Sequence, residues 1–104
     1  MSIKEITDIL ESYTIPCTFS HFTSKVTPPF MVYLVPDSDN FSADNITYFS
    51  IKNLQVELYS RVDTITEEEK FEEFITAKNI RWEKVDQTWI DEDKVHLSRY
   101  NLYG

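Results

Sequence analysis

Cys17 and His21 are the side chains whose types best suit nucleophilic catalysis, a thiolate activated by an imidazole. The segment from Cys17 to Phe22 reads as a short strand, and on a strand a spacing of four puts the two groups about 13 Å apart. No third group with motif support orients the base, which such a nucleophile requires. One Cys and two His are also too few for a structural zinc site without added carboxylates. Asp37, Asp39, Asn40 and Asp44 form an oxygen-rich stretch with the chemistry of a calcium loop. Its spacing does not fit. A twelve-residue loop starting at Asp37 puts Phe41 at a ligand position, Ser42 at the turn glycine and Tyr48 at the bidentate Glu. Glu67, Glu68, Glu69, Glu72 and Glu73 could form an acid–base cluster, but such a run on a surface helix reads as a solvated face. The only glycine is Gly104, so a glycine-rich phosphate loop is excluded. No catalytic residue, metal site or cofactor is expected, and the chain does not read as an enzyme.

The elements that position these residues follow from periodicity. Ile3, Ile6, Ile9, Leu10 and Tyr13 recur at helical spacing, and Ser2 with Glu5 forms a capping-box pattern, so a helix is expected over about residues 3–13. Pro16 ends it. Pro28-Pro29 leads into Phe30–Val35, a continuous apolar run suited to a central strand buried on both faces. Pro36 to Asn45 is rich in Asp, Asn and Ser, which hydrogen-bond nearby backbone and favour turns. From Tyr48 to Ser60 the pattern alternates, Leu54, Val56 and Leu58 against Gln55, Glu57 and Tyr59, as in a half-exposed strand antiparallel to the one before. Thr66 and Glu67–Glu69 predict a second capping box, with Phe71, Phe74 and Ile75 as the buried stripe. Asn79 suits a left-handed helix cap, and a last hairpin turns at Asp91-Glu92-Asp93. The expected order is αβββαββ in one α+β domain, residues 1–104, with a small antiparallel or mixed sheet and two helices packed on one face. Its expected core is Phe30, Val32, Leu34, Leu54, Val56, Leu58, Phe71, Phe74 and Ile75.

Charge narrows the partners. Ten basic and 18 acidic residues give a net charge of -8, which repels phosphate backbones and anionic lipid and argues against nucleic-acid and membrane binding. No apolar run approaches the roughly 20 residues that cross a bilayer. Residues 1–5 have neither the basic stretch nor the apolar run of a secretory signal, so the chain is expected to stay in the cytoplasm. The lone Cys17 agrees with a reducing compartment. Asn45-Ile46-Thr47 is a glycosylation sequon, which has no meaning without export. Tyr33, Tyr48, Tyr59, Trp82, Trp89, Tyr100 and Tyr103 fall on apparently half-exposed strands, where they either complete a small core or build a protein interface.

Pro29 with Tyr33-Leu34, Ser38-Asp39-Asn40-Phe41-Ser42-Ala43-Asp44-Asn45, Tyr48, and Gln55-Val56-Glu57-Leu58-Tyr59 together resemble a family of small tail-completion proteins. These belong to long-tailed phages and prophages of Gram-positive bacteria. Trp82-Glu83-Lys84 and Asp91-Glu92-Asp93-Lys94 extend the resemblance to about Pro28–Val95. The Asp-Asn-Phe-x-Ala-Asp-Asn stretch is its specific part. Arg61-Val62, where the family pattern has a Lys-Asp type turn, and the tail from His96 onward depart from it.

The resemblance implies a tail terminator, a homo-oligomeric ring, expected to be hexameric, that caps the last tail-tube layer and meets the head connector protein. Its partners would be itself, the tail-tube protein and the head connector, at the head–tail junction of a virion assembled in the bacterial cytoplasm. Asp39, Asn40, Phe41, Asp44, Asn45, Tyr48 and Tyr59 are the expected interface residues. A head-side connector or stopper shares size and acidity. A monomeric acidic inhibitor would need carboxylates spaced like phosphates over one face.

Asp39–Asn45 is expected to be an ordered turn held by Asx side-chain bonds rather than a metal site. Calcium should therefore leave the melting temperature unchanged, and a stoichiometric rise would contradict the reading, since a ligand selective for the folded state must stabilise it.

Overall fold

The computed structural model describes residues 2–22, 24, 26–35, 53–61 and 64–104. At the first helix, α1 (Ile3–Glu11), Ser2 Oγ accepts from the Glu5 N–H at 3.1 Å and Glu5 Oε1 accepts from the Ser2 N–H at 3.2 Å. Both are donors a helix start otherwise leaves unpaired. Ile3, Ile6 and Leu10 are buried. The helix stops two residues before the expected end at Tyr13, because Ser12 caps it: its N–H bonds the Asp8 and Ile9 carbonyls and its hydroxyl donates to the Ile9 carbonyl at 2.6 Å. Tyr13 leaves the helical path and lies against Phe74, ring centroids 4.5 Å apart.

The remaining elements are β1 (Cys17–Phe19), β2 (Phe30–Leu34), β3 (Asn53–Ser60), α2 (Thr64–Ala77), β4 (Arg81–Ile90) and β5 (Val95–Tyr103). The fold is α+β in the order αβββαββ. One five-stranded mixed sheet runs β1-β2-β3-β5-β4, with β1 parallel to β2 and the other pairs antiparallel. The central strand is thus β3, not the Phe30–Val35 run. β3 earns the place by pairing along all eight of its residues with β5 and burying Leu54, Val56, Leu58 and Ser60 in strict alternation.

Strand register decides the two faces. Met31 and Tyr33 of β2 stand opposite Leu58 and Val56, which stand opposite Ser98 and Tyr100. These side chains share the face that packs on Ile3, Ile6 and Leu10 of α1 and Phe71 and Ile75 of α2. Phe30, Val32 and Leu34, expected in the main core, lie on the opposite face. An uninterrupted apolar run contains no alternation from which to read the facing parity, and a one-residue shift inverts every side chain. Phe74 packs against the core only partly buried.

α2 starts at Thr64, two residues before the expected cap, so Thr66 sits inside the helix. Asp63, Thr64 and Thr66 are all residues that suit a helix start, which makes the boundary degenerate in the sequence. Its other end is sharply specified. Asn79 adopts φ 63°, the Ile80 N–H bonds the Ile75 carbonyl at 3.0 Å, and the Asn79 N–H bonds the Thr76 carbonyl at 3.0 Å. Ile80 and Ile75 are both buried, completing the apolar contact of this capping motif. The β4–β5 hairpin turns over residues 91–94, where Lys94 has φ 54° and its ammonium meets Asp91 at 3.0 Å.

Burial separates the two α2 phenylalanines. Phe71→Ala empties a fully enclosed site and should cost about 3–5 kcal/mol, whereas Phe74→Ala should cost clearly less. Denaturant titration of both variants checks this, and equal losses would contradict the packing.

Candidate functional site

Of the expected interface residues, Tyr59 is the one the structure describes; Asp39, Asn40, Phe41, Asp44, Asn45 and Tyr48 lie outside the described residues. Tyr59 is half-buried on the sheet face turned away from the helices. Its ring stacks on Phe30, its partner across β2–β3, at 4.8 Å and 18°. Phe22 meets Phe30 edge-on at 5.6 Å. The Tyr59 hydroxyl donates to Glu57 at 3.0 Å, Glu57 accepts from Arg99 at 3.4 Å, and Arg99 reaches Asp86 at 3.0 Å. This polar line crosses β3, β5 and β4 along paired positions, since Glu57 and Asp86 both oppose Arg99. Burial and the neighbouring Glu57 carboxylate push the Tyr59 phenol up to about 12. Beside it lies a groove of about 560 Å³ with Phe22, Phe30, Val32 and Tyr59 among its apolar lining and Arg61, Glu92 and Asp93 as charged lining.

The glutamate run is not merely a solvated face. Glu68 is 6 % exposed; it accepts from the Ser98 hydroxyl and pairs with the Lys84 ammonium at 2.9 Å. Glu72 accepts from the Tyr100 hydroxyl at 2.7 Å. Positions 68, 71, 72 and 75 share one helical stripe, so both carboxylates flank Phe71 and Ile75 at the seam between α2 and the sheet. Trp82 Nε1–H donates to Thr76 at 2.9 Å on the same side. Among the described residues, every buried side-chain nitrogen and oxygen has a hydrogen-bond partner. These carboxylates act as acceptors that seat the helix.

The aromatic residues divide. Tyr100 and Tyr33 are buried in the core, and the Tyr33 hydroxyl donates to Glu11. Trp89 is 46 % exposed and lies against His96 at 4.8 Å, while Tyr103 carries the Arg81 guanidinium over its ring at 4.7 Å. The strand expected in the last hairpin, with Trp82 and Trp89 on it, is β4, and its residues are exposed along almost its whole length, not on one face alone. Its mixture of Arg81, Glu83, Lys84, Asp86, Gln87 and Thr88, polar at both parities, was the available signal of a strand wet on both faces.

Cys17 opposes Met31 in the β1–β2 ladder, and desolvation, with the Glu11 charge adding to it, pushes its thiol up to about 12. His21 lies beyond the end of β1 and is exposed, its ring against the Ser20 hydroxyl at 3.2 Å. Among the described residues no group of three or more His, Cys, Asp or Glu is placed to hold a metal ion, and no helix is long and apolar enough to cross a membrane. No known protein family, curated protein or solved structure matches this chain.

Burial is first among the causes that raise the Tyr59 and Tyr100 phenols above their ordinary value of 10.0. The unfolded chain therefore gives up these protons first as pH rises. The stabilisation from keeping them is fully present below about pH 10 and is lost as pH climbs through the folded-state values. Denaturant melts should show stability falling from about pH 10 upward, with a shallower fall in Tyr100→Phe. An unchanged alkaline profile in that variant would contradict the assignment.

Proposed function

We propose that the chain is a tail terminator of a long-tailed phage or prophage of Gram-positive bacteria. Its copies form a sixfold ring on the last layer of the tail tube, stop polymerisation and present a surface to the head connector, placing the protein at the head–tail junction of the virion. The observation that carries this reading is the sequence motif Asp39-Asn40-Phe41-Ser42-Ala43-Asp44-Asn45. It lies between β2 and β3, adjacent antiparallel strands at the middle of the sheet. Segments that connect the strands of a sheet commonly carry recognition residues. Tyr59, on the same β3 strand, supplies aromatic surface of the kind interfaces favour.

The charge agrees with this role. A ring around a DNA channel benefits from carboxylates, because they do not trap the passing phosphates. Ring closure requires a head-to-tail interface, so one altered patch damages every contact in it.

The test supplies purified tail-tube protein and measures tube length by electron microscopy. With the wild-type chain, growth should stop at ends that carry it. Phe41→Asp, which puts a charge into the motif, should abolish capping while leaving the circular dichroism spectrum of a folded chain. Tubes that keep growing with no wild-type protein at their ends would sink the terminator reading and favour a head-side connector.

A further inference from the structure

We draw no further inference here: the strongest candidate, the groove beside Tyr59 with Phe22 and Phe30 on its apolar wall and Arg61, Glu92 and Asp93 as its charged lining, presents charges of both signs that select no one occupant, and nothing in the structure shows what covers it.

Discussion

The seating of α2 on the sheet by two carboxylates is the constraint on which the rest of the molecule depends. Glu68 is enclosed and would be costly to bury alone, so Ser98 and Lys84 must face it. Glu72 places the same demand on Tyr100. Ser98 and Tyr100 stand opposite Leu58 and Val56 on β3, which in turn oppose Met31 and Tyr33 on β2. The polar seam therefore fixes more than the helix. A slip of one residue in β5 would turn Arg99 and Leu97 toward α2 and leave the carboxylates without their acceptor bonds. Apolar packing alone tolerates repacking far better than such paired acceptors do.

With the helix face closed in this way, the surfaces left for partners are on the other side and at one edge. The far face carries the Phe22, Phe30 and Tyr59 stack with a groove beside it, and β4, an edge strand of the sheet among the described residues, carries Trp89. Neither resembles an enclosed chamber around a nucleophile. The net charge of -8 repels phosphate polymers over most of the surface. The proposed role in capping a tail tube uses these features through shape and surface alone.

Elements with a local cause were legible from sequence. Ser2 and Glu5 announce α1, Asn79 announces the end of α2, and the alternation from Leu54 to Leu58 announces β3 and its buried side. What could not be read was set by tertiary geometry. Phe30 to Leu34 is apolar at every position, so its facing depends on the register with β3. Glu68 and Glu72 look like their solvated neighbours, and only the opposing Ser98, Lys84 and Tyr100 draw them inward. The parallel pairing of β1 joins segments separated by the Pro28-Pro29 turn, for which no short-range signal exists. Of the candidate interface, Tyr59 alone gained a described environment, because the motif around Phe41 lies outside the described residues.

The claim that this chain terminates a tail tube is tested most directly by counting its copies on purified tubes assembled in its presence. Quantitative mass spectrometry of tubes sorted by length reads that number. A terminator occupies one end as a single ring, so the account predicts a constant complement per tube whatever its length. A copy number that grows in proportion to tube length, or no bound chain at all, would contradict it.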